Sequence, residues 1–575
     1  MATAVGAVSG RSLKQPRLLI VGIDSSTFRV IGPLVEAGEL PTIGRMMAEG
    51  VHGILLSSIP SVTPPGWVTS FTGVNPGKHN VFDFKDHTRY LEGMSGYDLG
   101  STTSESVRAD TFWRLLNREG HSVGLVNVPM AYPVEPLDGY MIAGFPCPTE
   151  GEGLFYPPEL EAEVRAEVPD YRFYGDPELL TREQPGRYVE DINRISTDRV
   201  RTTVHLMRSR PTDVAGIIFT EVDRIQHYFW GNWDEAYDDP NPDSARFSRV
   251  IPDHYRIIDQ GLAGMLEAAG PDARVLIYSD HGAGPITRHL YANTYLIQEG
   301  FVVMKGDKGD PGKGEGGRRV KVSRFDKRRI EAWLKRRGLE RVIHWIPKRL
   351  RHAFPVASFE TVDWSRTKAF FSSGSAQSFT VNLRGREPHG CVAPGEEYER
   401  VVADLIEALQ RLRDPATGKS PFASIQRRED IWKGPSVVNG PDVLIEPAEG
   451  YVTLKDIKAQ AFDDVGPSWR DRTADHERDG IVILWGPGIR KGESLADHMI
   501  RDIAPTVLHM FGVAVPRYMD GQVMEDAFDE GWMAQHPVRL TGDEEFVGRD
   551  TAGPTMTAEE EEVLKERLRG LGYMG

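Results

Sequence analysis

Carboxylates and imidazoles recur in this chain at the ends of short apolar runs. LLIVGID closes on Asp24, AGIIFTEVD on Asp223, and VLIYSDH on Asp280 and His281. His227 follows Asp223 at i+4, a spacing that sets both side chains on one face of a helical turn. His476 stands four residues before another apolar run that starts at Gly480. Taken singly these signals are bland, because an aspartate after a strand ordinarily caps the next helix. Together they form a mixed nitrogen and oxygen donor set, which suits Zn²⁺ or Mn²⁺ better than Ca²⁺. Thr63 is the candidate nucleophile. It follows a strand and precedes Pro64, Pro65 and a helical pattern from Trp67, which reads as a helix N-cap. A helix N-terminus favours negative charge, and a nearby cation would lower the hydroxyl's pKa further.

The elements that must position these groups are short and rich in β-branched residues, as buried parallel strands are. In an open α/β sheet, ligands bind outside the carboxyl ends of such strands, so carboxylates far apart in sequence can converge there. Further strands are expected near Gly53, Val123 and Gly480, with helical segments between them. The expected fold is therefore α/β, a doubly wound and mostly parallel sheet. The expected domains are a disordered leader over 1–16, a catalytic core over 17–525 and a tail over 526–575. Two insertions are expected on the core. Residues 84–211, rich in proline and aromatics, read as a cap or long loops around the Val123 strand. Residues 305–358 open with a Gly-rich run and continue as a basic segment over 318–352, read as a solvated helix face or a lid for an anionic substrate. An acidic stretch near Glu561 reads as a short, exposed helix.

Bulk properties narrow the function. The 575 residues carry a formal net charge of -16, which argues against general nucleic-acid binding. Two cysteines, Cys147 and Cys391, are too few for a disulfide framework or a cysteine zinc site. No run approaches the roughly 20 apolar residues of a membrane span, and the leader lacks the pattern of a secretory signal. A cytoplasmic enzyme is the expectation.

In this order the residues resemble the alkaline phosphatase superfamily, in its type I phosphodiesterase/nucleotide pyrophosphatase branch. The matching motifs are VGID (21–24), PSVTPP (60–65) running to Thr72-Gly73, Asp223-x-x-x-His227, SDHG (279–282) and His476-x-x-x-Gly480. The segment from Asp502 to Leu508 and Met519-Asp520-Gly521 resemble the end of such a core. The resemblance implies an alkaline phosphatase-like fold and two divalent ions, Zn²⁺ or Mn²⁺. Asp24, Thr63, Asp280 and His281 would contact one ion, and Asp223, His227 and His476 the other. It further implies that Thr63 attacks phosphorus in a small anionic phosphate ester and that water hydrolyses the resulting phospho-threonine. The asparagine that nucleotide pyrophosphatases of this branch place near the nucleophile corresponds here to Gly66, which leaves diester and monoester substrates both open. A sulfatase is excluded, since TPPGW (63–67) holds neither the convertible cysteine or serine nor the arginine of that group. A phosphomutase shares the ligands but normally uses serine, and a non-catalytic relative would not need every site position filled. Lys78 and His79 are read either as neighbours of the site or as a structural turn.

Overall fold

The computed structural model describes residues 15–90, 99–235, 244–306, 359–373, 375–466, 472–542, 546–548 and 561–565. The leader up to residue 14, the basic segment 318–352 and half of the tail lie outside the described residues.

Strand Leu18–Ile23 shows how the sequence builds the core. All six residues are buried. Leu19, Val21 and Ile23 enter one apolar cluster, while Leu18 and Ile20 enter another on the opposite face. That alternation follows from the twofold repeat of a strand, and burial of both faces explains why the run lacks polar residues. The first cluster includes residues of helices Pro185–Ser209 and Val250–Ala269, the second residues of helices Thr63–Thr72 and Ile503–Met510. Helices therefore cover both faces of a ten-stranded sheet.

The middle of the sheet is parallel, in the order Arg274–Tyr278, Leu18–Ile23, Val214–Phe219, Val123–Val128, Gly139–Ala143. Asp479–Trp485 runs antiparallel between Arg274–Tyr278 and Val51–Leu56. Residues 84–211, expected to form a cap or long loops, instead supply two of the parallel strands and the long helix Pro185–Ser209. Many of the aromatics that prompted the expectation serve as core, with Phe145, Phe155, Phe173 and Tyr188 buried in the first cluster.

A second unit stands beside the main sheet. Ala369–Ser373, Ser378–Val381, Val443–Pro447 and Phe422–Arg427 form an antiparallel sheet packed against helix Glu396–Arg411, with its own apolar cluster. Strand Gly282–Tyr291 links the two. It pairs with Ala474–Glu477 at its start and with Gly450–Leu454 and Phe462–Asp464 farther along. The acidic stretch near the C-terminus is not exposed as expected. Leu564 is buried in the main core and Glu561 Oε1 accepts from the Ser101 amide at 2.7 Å. No described helix is long and apolar enough to cross a membrane.

Candidate active site

Three neighbouring parallel strands release the three carboxylates. Ile23 lies opposite Phe219, and Gly22 opposite Tyr278, so the chain leaves the sheet at the same level at Asp24, at the segment leading to Asp223, and at Asp280. Asp223 and His227 sit one turn apart on helix Glu221–Trp233. The start of that helix is held by the Arg199–Glu221 ion pair, both side chains fully buried, which ties it to helix Pro185–Ser209. His476 arrives from the other side, on strand Ala474–Glu477. Glycines permit this crowding. A Cβ at Gly282 would lie 2.1 Å from the Asp479 carbonyl, and one at Gly480 would lie 2.5 Å from Ser279 Oγ.

Thr63 is the first residue of helix Thr63–Thr72, and Val62 rather than Thr63 is its N-cap. The expected capping role is thus corrected, and the hydroxyl is left for other partners. Its Oγ1 is 3.4 Å from His281 Nε2, and the residue is buried. One turn on, Trp67 Nε1 donates to Asp24 Oδ2 at 3.2 Å. Gly22 makes room for that indole, because a Cβ there would lie 2.6 Å from the ring. Gly66 faces Asp280 closely, and an added Cβ would come within 3.1 Å of the Asp280 Cβ. Position 66 therefore has little space for the asparagine expected of nucleotide pyrophosphatases.

Two carboxylate oxygens of this cluster find no donor among the described residues, although His476 Nε2 lies 3.2 Å from Asp223 Oδ1. His227 Nδ1 lies 2.8 Å from the Ala474 carbonyl and His281 Nδ1 3.1 Å from the Gly282 carbonyl. A carbonyl can only accept, so Nδ1 carries the proton in each neutral ring and Nε2 presents a lone pair. His227 Nε2 then faces Asp223 Oδ1 at 3.1 Å and His476 Nε2 at 3.2 Å. His281 Nε2 faces Asp280 Oδ2 at 3.2 Å and Asp24 Oδ1 at 3.7 Å. Among the described residues, Asp24 Oδ1 and Asp280 Oδ2 accept no hydrogen bond although both are buried. Lone pairs converging on lone pairs are what a divalent cation corrects, and backbone carbonyls orienting the far nitrogens are the usual support for histidine ligands. The donor set therefore fits metal. Ligand atoms lie within 4.8 Å of one another in the groups Asp24–Asp280–His281, Asp223–His281–His476 and His227–Asp475–His476.

The electrostatics agree. Burial, reinforced by Asp280 and Asp223, holds the Asp24 carboxyl well above its usual range. Burial likewise pushes Asp280 up to about 8, with Asp223 adding and the Ser25 amide opposing. Burial would raise Asp223 too, but the adjacent His227 and His476 hold it well below. Burial lowers both His227 and His281, so neither ring readily takes a second proton to neutralise the cluster.

The structure thus brings together all of the expected site residues. Sequence reading missed Asp475, whose only signal was adjacency to His476, and the Trp67 bond to Asp24. It also missed a cleft of ≈ 250 Å³ that opens beside His476 and Asp475 and is lined in part by Ser61, Tyr228, Tyr291, Tyr451, Lys458 and Arg472. Lys78 and His79 belong to a structural turn. Lys78 Nζ donates to Asp520 Oδ1 at 2.6 Å, and His79 Nε2 lies 2.9 Å from Thr69 Oγ1.

Structural comparison finds the chain similar to murine ectonucleotide pyrophosphatase/phosphodiesterase 5, at 13% identity over 87% of this chain and 95% of that one, TM-score 0.46. It is also similar to phosphonoacetate hydrolase from Sinorhizobium meliloti in complex with phosphonoformate (14% identity, 88% and 98% covered, TM-score 0.44). A third similar structure is alkaline phosphatase PafA (13% identity, 90% and 100% covered, TM-score 0.48). No curated protein matches the sequence. The family model for type I phosphodiesterase/nucleotide pyrophosphatase matches residues 18–479, which include the parallel middle of the sheet and every residue of the cluster. The chain belongs to that family, phosphoester hydrolases of the alkaline phosphatase superfamily.

Proposed function

We propose that this protein is a divalent-metal-dependent hydrolase of small phosphate esters that works through a phospho-threonine at Thr63. The observation that carries the reading is the buried set of unsatisfied carboxylate oxygens and imidazole lone pairs beside a threonine hydroxyl released from capping. Asp24, Thr63, Asp280 and His281 would hold one ion and Asp223, His227 and His476 a second, with Zn²⁺ or Mn²⁺ matching the donors. When bound, such ions lower the pKa of an oxygen nucleophile and neutralise charge on the phosphoryl group.

The chain's own residues supply the rest. Trp67 fixes the rotamer of Asp24, and the Ala474 and Gly282 carbonyls fix the rings of His227 and His281. Thr63 at the N-terminus of a ten-residue helix places its oxygen where the helix dipole favours negative charge. In the first step Thr63 Oγ bonds to phosphorus, the ester P–O bond breaks, and the alcohol leaves with a proton. In the second, water bonds to phosphorus, the P–Oγ bond breaks, and the threonine hydroxyl is restored. Positioning and charge stabilisation carry most of such a reaction, which suits a site with few groups to shuttle protons.

The family makes a diester or pyrophosphate the first candidate substrate. A phosphomonoester is the second reading, favoured by the tight packing of Gly66 against Asp280 where the diester-specific asparagine is expected. Turnover of bis-p-nitrophenyl phosphate and p-nitrophenyl phosphate by zinc-loaded protein separates them. Thr63→Ala is expected to lower turnover of the preferred ester at least about a thousandfold while most of the metal stays bound. Retained turnover would remove Thr63 from the chemistry, and stoichiometric metal with no turnover in the wild type would indicate a non-catalytic relative.

A further inference from the structure

We propose that the cleft beside the cluster holds a second anionic group of the substrate, on the alcohol side of the scissile bond, through Lys458 and Arg472. The inference rests on the hydrolase reading for the word substrate, but its chemistry is that of an anion site and can be tested without turnover.

Position comes first. The cleft begins at His476 and Asp475 and passes Pro60 and Ser61, just before Thr63. It then runs between the long strand Gly282–Tyr291 and the second unit, where Tyr291 and Tyr451 line it. An ester whose phosphorus sits at Thr63 would extend its alcohol portion toward this space, past Ser61 and His476. At ≈ 250 Å³ the cleft takes a compact group.

Charge decides what kind of group. Two cations and three carboxylates line the cleft. The carboxylates are already engaged or screened. Glu446 Oε2 accepts from Ser424 Oγ at 2.5 Å, and its Oε1 is 3.7 Å from Arg478. Asp475 Oδ1 accepts from the His476 amide at 3.0 Å and lies 3.7 Å from Arg472 Nη1. Asp456 is exposed, where water and salt weaken its field. Lys458 differs from all of them. It is half-buried and, among the described residues, forms no ion pair; its Nζ stands 5.8 Å from the centre of the Tyr291 ring. Its backbone is pinned at both polar groups, since the amide donates to Thr294 Oγ1 at 2.8 Å and the carbonyl accepts from that hydroxyl at 3.2 Å. An ammonium with no ion-pair partner among the described residues, carried into a cleft on a fixed backbone, is placed to take an anionic one. Arg472, two residues before the strand that carries His476, also lines the cleft and lets the same anion bridge it.

The test is equilibrium binding to zinc-loaded Thr63→Ala protein, which retains the cleft without consuming ligand. The probes are n-alkyl phosphates of two to five carbons and their ω-carboxylate counterparts. At the chain length that reaches Lys458, the carboxylated probe is expected to bind about 10-fold tighter or more than the plain one. Lys458→Met should reduce that preference to within about threefold without weakening the plain alkyl phosphate, and Lys458→Arg should restore much of it. Equal binding of the two series at every length overturns the proposal, as does a preference that survives in Lys458→Met. Loss of affinity for both series alike in that variant also overturns it, by placing Lys458 on the phosphate. A wild-type protein that hydrolyses no ester defeats the proposed function and leaves this comparison intact.

Discussion

Two buried charge clusters in this molecule have opposite bookkeeping. Around Asp442, in the second unit, the protein completes its own hydrogen bonds. Oδ1 accepts from Arg386 Nη1 at 2.8 Å and Tyr398 at 2.7 Å, Oδ2 from Arg386 Nη2 and the Val381 amide at 2.6 Å each, and Arg428 stands 3.1 Å away. Burial alone would raise that carboxyl, but the arginines hold it below its usual range. Around Asp24 and Asp280 the reverse holds: one oxygen of each carboxylate lacks a donor among the described residues, the His281 ring turns a lone pair toward them, and both carboxyls are pushed up. A satisfied buried network is architecture. One that is unsatisfied and crowded, beside a cleft, has the donor set of a candidate cation site.

The same substitution at each cluster should therefore act in opposite ways. The largest effect is expected from Asp24→Asn. Its amide oxygen can still accept from Trp67, so in chelated protein the thermal midpoint should stay level or rise as a carboxyl crowded by Asp280 and Asp223 is replaced. Turnover should nevertheless fall at least about a thousandfold, because several kcal/mol of charge stabilisation is lost with a ligand. A clear drop in the chelated midpoint would mean that Asp24 is structural. Asp442→Asn should instead take from Arg386 and Arg428 the buried carboxylate they share and cost about 3–5 kcal/mol, equally with and without metal, in denaturant unfolding. A metal-dependent loss there would erase the distinction between the clusters.

A smaller effect is expected from pH. In chelated protein, folded Asp280 keeps its proton up to about pH 8, whereas the unfolded chain releases it near the ordinary value of 3.8. Stability from this group therefore falls as pH rises across that interval. His227 and His281, held low by burial, give the opposite slope, which is complete by about pH 6.5. Between about 6.5 and 8 the falling contribution dominates, while metal gains from ligand deprotonation. The midpoint difference between zinc-loaded and chelated protein should widen over that range; a constant or shrinking gap would contradict it.

Much of the site was legible in the sequence because the physics there is local. A parallel strand buried on both faces has no polar residue until it ends, so Asp24, Asp223 and Asp280 stand out at the boundaries of apolar runs. Asp223 and His227 announce themselves by helical spacing. What was lost depends on contacts distant in sequence. The Asp442 network joins Val381, Arg386, Tyr398 and Arg428 with no repeating interval, and the cleft draws Tyr228, Tyr291 and Lys458 from three separate segments. Proline and aromatic content misled over residues 84–211, since side chains typical of loops also fill cores. Thr63 was misplaced by one position at a helix start, where cap and first residue share a composition, and that one position decides whether its hydroxyl is spent on the backbone.

The most direct test of the central claim is zinc titration into chelated wild-type protein, counting bound ions while following turnover of the preferred aryl phosphate ester. The account predicts two tightly bound ions per chain, no turnover after chelation, and activity restored as the ions bind. Turnover that persists through complete chelation, or failure to bind zinc at all, would contradict it.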